Sequence, residues 1–421
     1  MNRVLPNGAG QQDTHDDGDE MDFSPVRAAA YSAGSVSAGT VFGFTNAALP
    51  LYLASYEFSN VAIGLLAQDR PPLAGVSQII VGALSDRTHT PLGRRRPYIL
   101  AGVPVAVVAV LALALRPPVG IMVLALVLMT TALAVAYGPY LALLRDLVPE
   151  RQRGRVGAAL ALGNMLGQLG ILYLASQLWQ TGEELVFGTV AGVLLVGFGL
   201  TVIGGGEPPA VAARRPTRAA VRADARAYLQ GLLRHREAAK YLLPTLCFWF
   251  GTGSVVPFLT RFAVNELGTD EATAFLLLMI AVGTTALVTL PAGWLGDRFG
   301  KKPVLLGGLV SFGLVVLVGS QVRTVEQAIV ALAATGVANG ICTALLFPLL
   351  ADLIPQRRAG EFTGLGTAAW ELAQPIGAML GGLGADLTGT LRTPLVTAGL
   401  VLLVASVLLL PVHPERAAHE D

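Results

Sequence analysis

Charge is what this 421-residue sequence has least of. Asp, Glu, Lys and Arg together make up 14% of it, against about 25% in a soluble domain, while 53% is hydrophobic. A chain with so few charges cannot cover itself against water. A net charge of +1 gives no footing for nucleic acid. The two cysteines, Cys247 and Cys342, fall inside apolar runs and make no disulfide framework. The five histidines (His15, His89, His235, His413, His419) all lie in expected loops or tails. No apolar run holds a cluster of Asp, His or Cys, which argues against a metal-ion carrier, and neither metal nor cofactor is expected. Paired carboxylates, a Ser–His arrangement and a Gly-rich phosphate loop before Lys are also missing, which argues against an enzyme. Aromatics, at 7%, count slightly against a broad drug pocket.

What is present is apolar length. A spanning helix needs about 20 mostly apolar residues, and twelve stretches qualify, near 28–54, 60–85, 97–115, 119–144, 156–178, 185–205, 241–263, 272–295, 303–321, 326–350, 362–385 and 394–412. Pro97, Pro303 and Pro394 sit where a helix can begin, because the first turn has no use for an N–H. The polar, acidic start to about residue 22 lacks a basic segment followed by an apolar core and reads as a disordered tail. With both termini in the cytoplasm, all but five of the 29 Lys and Arg fall on that side, as the positive-inside rule asks. Four of the five (Arg116, Arg261, Arg323, Arg392) are expected in outer loops and the fifth, Arg70, inside a span. The implied protein is an all-α, multi-pass plasma- or inner-membrane protein. It is divided into a tail (1–24), a six-helix half (25–206), a linker (207–238), a second half (239–412) and a tail (413–421). In the linker, Val221, Ala225, Tyr228, Leu229, Leu232 and Leu233 at helical spacing, beside Arg218, Arg222 and Arg226, suit a helix lying on the inner membrane surface. A monomer in the lipid bilayer is expected.

The halves repeat each other. GALSDRTHTPLGRRRP (82–97) is echoed by GWLGDRFGKKP (293–303), and Asp146 with Arg151, Arg153 and Arg155 by Asp352 with Arg357 and Arg358. Two copies of one unit between membrane-length runs imply a transporter of two pseudo-symmetric halves. Asp86 and Asp297 can accept hydrogen bonds at a neighbouring helix N-terminus, and Arg94, Arg95 and Arg96 can pair with Asp146. With Arg87, Arg155, Arg298, Lys301, Asp352 and Arg358, these contacts are expected to act as a gating latch, made in one arrangement of the halves and broken in the other.

These loops resemble the signature loops of the major facilitator superfamily, over about residues 28–412. PPLAGVSQIIVGALSDRTHTPLGRRRPYIL and GPYLALLRDLVPERQRGR are similar to the second and fourth spans of its sucrose/proton symporter and glycoside–pentoside–hexuronide branches. GLGTAAWELAQPIG resembles the eleventh span of transporters linked to light-harvesting assembly. The resemblance implies twelve helices, spans two and eleven facing each other, and movement of a small-molecule substrate. Where the sucrose carriers place their coupling Arg and Asp, this sequence has Leu141 and Thr130; where melibiose-type carriers place two acids, it has Ala74 and Gln78.

Ionisable groups at membrane depth cost about 2.5–3.5 kcal/mol on insertion scales, so a functional role is their default reading. Only Asp69 and Glu371 among the acids fall within spans and away from their ends, with Arg70 beside the first. On the resembled fold, Arg70 or protonated Asp69 would meet Glu371 across the centre and load and unload a proton. Neutral polar residues supply the expected substrate surface: Asn46, Gln78, Tyr137, Tyr140, Asn164, Gln168, Trp249, Asn339, Trp370 and Gln374. Amides suit hydroxyl-rich ligands and an indole face suits a sugar ring. The expectation is a secondary transporter of a small organic solute, a sugar or glycoside first, proton-coupled and working by alternating access. Export of amphipathic or tetrapyrrole-like compounds, or a non-transporting assembly role, is the alternative.

Overall fold

The computed structural model describes residues 24–68, 81, 84–85, 88, 90–204, 236–353 and 359–413, apart from the side chains of 145, 150 and 359–368. Asp69, Arg70, Gln78, Asp86, Arg87, Arg357, Arg358 and nearly all of the linker therefore lie outside the described residues.

Backbone groups in hydrocarbon must be satisfied within their own segment, which favours helices, and among the described residues there is no strand. The helices are α1 (Pro25–Gly43), α2 (Leu49–Ala54), α3 (Asn60–Leu66), α4 (Arg96–Ala114), α5 (Val119–Leu147), α6 (Glu150–Leu178) and α7 (Glu183–Gly204) in the first half. The second half holds α8 (Arg236–Val255), α9 (Leu259–Leu267), α10 (Glu271–Phe299), α11 (Lys301–Gly319), α12 (Val325–Asp352), α13 (Ala359–Thr388) and α14 (Arg392–Leu409). Nine stretches among the described residues are long and apolar enough to cross a membrane. Of the other three expected spans the described residues give α1 with α2, α3, and α13. Pro97, Pro303 and Pro394 each stand in the first three residues of their helix, as expected.

Each half packs by itself, α1 on α6 and α7, α4 on α5, and then α8 on α13 and α14, α10 on α12. The first helical segment of each half is broken at matching depth. Phe44–Ala48 forms a π-turn between α1 and α2, and Val256–Phe258 a 3-10 turn between α8 and α9. Pro50 and Pro257, 207 residues apart, each withdraw a backbone donor from these turns. The breaks meet: Thr260 Oγ1 donates to the Ala47 carbonyl across the halves at 2.9 Å.

The main contacts between halves, α3 with α13 and α6 with α10, are anchored at the end of the bundle away from the chain termini, here the far face. Gly64 and Gly382 permit this approach, since a Cβ on either would stand 2.3 Å from a carbonyl of the opposite half, that of Ala378 or Asn60. Arg116, Arg323 and Arg392 stand at the far face. Arg261, expected in an outer loop, is instead half-buried on α9, because this amphipathic helix continues past the 3-10 break.

Candidate functional site

A cavity of about 660 Å³ lies between the halves, walled by α1, α5 and α6 on one side and α8, α10, α12 and α13 on the other. Asn46, Tyr137, Asn164, Gln168, Trp249, Asn339, Trp370 and Gln374, eight of the expected substrate residues, line it. Among its described lining residues none is charged, and most are apolar.

The amides are arranged with one group used and another left over. Asn46 Nδ2 donates to the Phe42 carbonyl at 2.8 Å, Gln168 Nε2 to Asn164 Oδ1 at 2.7 Å, and Asn339 Nδ2 to Thr285 Oγ1 at 3.3 Å. Gln374 Oε1 accepts from the Trp370 indole N–H. Each amide has both donor and acceptor capacity, so Asn46 Oδ1, Asn164 Nδ2, Gln168 Oε1, Asn339 Oδ1 and Gln374 Nε2 remain for a guest. The rings of Trp249 and Trp370 stack with centroids 4.7 Å apart and planes inclined by 18°. Phe248 packs edge-on against Trp249 at 4.9 Å. The buried Trp249 Nε1 has no hydrogen-bond partner.

Two expected residues stand elsewhere. Tyr140 is 1% exposed and cements α5 to α1: its hydroxyl donates to the Tyr31 carbonyl at 3.0 Å while the Tyr31 hydroxyl donates to the Tyr140 carbonyl at 2.8 Å. Glu371 is half-buried beside Trp370 but is not among the lining residues, since adjacent positions on a helix face in different directions. Sequence reasoning missed the hydroxyls of Ser35, Thr252, Thr285, Thr335 and Thr343, which also line the cavity. Thr252, Thr285 and Thr343 bond carbonyls of their own helices. Such back-bonding makes threonine common in apolar helices and leaves no pattern to find.

The basic loops form their expected pairs, but within halves. Arg94 Nη2 and Arg95 Nε bind the two oxygens of Asp146 at 2.7 and 3.0 Å, and Arg95 Nη1 donates to Ser85 Oγ at 2.8 Å. Lys301 Nζ lies 2.7 Å from Asp352 in the second half. Each pair ties the start of one helix to the end of the next and lies within its own half. Asp297 is exposed, and α11 begins without a side-chain cap. Arg298 lies over the rings of Trp294 and Phe299 at 5.3 and 5.6 Å, and Arg155 is exposed.

Further polar links between the halves stand at the far face. Asp386 on α13 accepts from the Asn60 N–H at 2.9 Å, the Asn60 side-chain amide at 2.7 Å and the Val61 N–H at 2.9 Å. Arg261 donates to Asn60 Oδ1. Gln180 Nε2 donates to Asp270 Oδ2 at 2.9 Å, again across halves. Asp270 caps α10, and the bonds from Thr273 first, then Gln180, hold its carboxyl below the usual aspartate range.

The sequence profile of the Major Facilitator Superfamily matches residues 31–286 and 242–421. The multidrug resistance protein MdtG of Citrobacter koseri is 28% identical over 265 residues, 62% of this chain and 64% of that protein. An uncharacterized MFS-type transporter of Methanocaldococcus jannaschii, MJ1560, is 25% identical over 39% of this chain and 42% of its own. The chain thus spans less than two thirds of the length of these curated relatives. Among solved structures, a peptide transporter POT in complex with sulfate superposes with a TM-score of 0.73 at 15% identity, covering 94% of this chain and 96% of that one. A D-xylose-proton symporter gives 0.68 at 15% identity, over 93% and 97%. These neighbours are transporters and none is an enzyme. A profile match along nearly the whole sequence, on two helical halves around a cavity with no charge among its described lining residues, shows that the chain belongs to the major facilitator superfamily.

Proposed function

We propose that this protein is a secondary transporter for uncharged amphipathic organic molecules, carried through the central cavity by alternating access. The observation that carries the reading is the cavity wall: about 660 Å³ with no charge among its described lining residues, and a handful of amide groups separated by apolar surface. A monosaccharide presents a polar group on nearly every carbon, and each one buried without a partner costs about 1–3 kcal/mol. The spare amides here are too dispersed to serve them all. A molecule with two or three polar groups on a hydrocarbon body fits. The relatives named for multidrug resistance point the same way, and the sugar expectation retreats to second place. Half of the stretch likened to sucrose carriers, 71–100, lies outside the described residues, and the likeness adds no site geometry.

In this reading the far face is extracellular, the termini are cytoplasmic, and the Asp386–Asn60–Arg261 link seals the outer side. Glu371, the one carboxylate among the described residues that sits within a helix away from its ends, is assigned the proton. The test is a thermal-shift series on the purified protein in lipid nanodiscs with uncharged amphiphiles, sugars, glycosides and tetrapyrroles. Stabilisation that grows with ligand concentration is expected for the amphiphiles. A shift produced by sugars alone would overturn the assignment. In proteoliposomes, Glu371→Gln is expected to abolish pH-driven accumulation and leave exchange intact; unchanged accumulation removes Glu371 from coupling.

A further inference from the structure

Beyond the central cavity, inside the second half, lies an annex of about 50 Å³ lined by Leu259, Phe262, Leu277, Ala328, Ala331, Leu395 and their neighbours. Thr335 is its one polar lining residue among those described. Val255, Leu259, Val316 and Thr335 line both spaces, so the annex adjoins the central cavity across these four residues. It parts the main hydrophobic core from a separate small cluster containing Ala263, Leu277, Val322 and Ala328.

The first half fills the corresponding place. Tyr52 precedes Leu259 by 207 residues, the same spacing that relates Pro50 to Pro257 and Arg94 to Lys301. Its ring is wholly buried, 4.9 Å from Phe187 on α7 and 5.3 Å from Tyr56, and its hydroxyl donates to the Leu113 carbonyl at 2.7 Å. In the second half the equivalent residue is leucine, and α14, the counterpart of α7, contains no aromatic residue. One copy of the unit is plugged with rings and the other keeps an apolar space beside the central cavity.

We propose that the annex receives a short alkyl arm of the cargo while the polar head meets the amides of the central cavity. The inference rests on the amphiphile reading above and makes it specific. A cavity needs about 10–15 Å³ on this measure for one water-sized group, so the annex takes a chain of three or four carbons. Cargo would then be selected by the length of one unbranched arm.

The test uses alkyl 4-hydroxybenzoates from methyl to hexyl, titrated onto the protein in lipid nanodiscs with empty nanodiscs subtracted and tryptophan fluorescence as the readout. Affinity is expected to rise about fourfold per methylene as far as propyl or butyl and then level. Leu259→Phe, which restores a ring where the first half carries Tyr52, and Leu395→Phe, which fills the annex from α14, are expected to flatten that rise. Ala331→Leu replaces either variant that fails to fold. Equal slopes in the wild type and the filled variants, or a flat wild-type series, would overturn the annex while leaving the amphiphile reading standing. No saturable binding of any ester to the wild type would overturn that reading and the annex with it.

Discussion

Asp386 gathers three N–H donors from the opposite half on one carboxylate. Hydrogen bonds to a charged group contribute about 1.5–3 kcal/mol each, and 1.4 kcal/mol is tenfold in an equilibrium. Asp386→Asn is therefore expected to raise the population open at the far face by about ten- to a hundredfold. Spin labels at Thr181→Cys and Arg323→Cys, on opposite halves with the two native cysteines replaced, would show it as a second, longer distance. An unchanged distance distribution would remove Asp386 from the seal. Trp249→Ala takes away one face of the indole stack, and a loss of at least tenfold in amphiphile affinity is expected by fluorescence titration. Residues such as Asn46, Asn164, Gln168 and Gln374 were legible because a polar side chain in an apolar run is costly and must earn its place. Tyr140 misled for a related reason: tyrosine can satisfy its hydroxyl on a neighbouring carbonyl, and the sequence does not reveal which tyrosines do so.

At the scale of elements, the duplicated loops were legible as pairs and illegible as a device. Arg94, Arg95 and Asp146 meet, as do Lys301 and Asp352. Both pairs lie within their own half, joining consecutive helices and not bridging the two halves. Asp146 takes two arginines and its side chain is 16% exposed, whereas Asp352 takes one lysine at 46%. Exposed pairs contribute about 0–1 kcal/mol, while breaking a more buried network costs more. Asp146→Ala is thus expected to lower the melting temperature clearly more than Asp352→Ala; equal losses would refute the ranking. The π-turn and the 3-10 turn had no clear sequence sign, since Pro50 and Pro257 mark a break without saying which kind. Such turns often lie at functional sites, and here Asn46 and Val256, which line the cavity, belong to them.

For the whole molecule, the far face is held by a few polar links and the close backbone contact at Gly64 and Gly382. One carboxylate of this face with a depressed proton affinity is Asp270, in the turn that begins α10. A carboxyl lowered in the folded state adds stability above its unfolded pKa and loses it as pH falls through the folded value. Melting is accordingly expected to be flat in this respect from pH 5 to 8 and to fall below about pH 4. Asp270→Asn should lessen the acid dependence, and an identical acid profile in that variant would discount it.

Composition and periodicity alone determined that the chain is a duplicated helical bundle in a membrane, because hydrocarbon leaves a low-charge sequence few other ways to satisfy its backbone. They also picked most of the polar residues around the cavity. Only the tertiary structure decided that the paired loops bond within halves, that Asp386 and Arg261 meet Asn60 across them, and that one half is plugged where the other keeps a space. Those outcomes depend on side-chain direction and on which helices become neighbours, and a linear pattern of residue types carries neither.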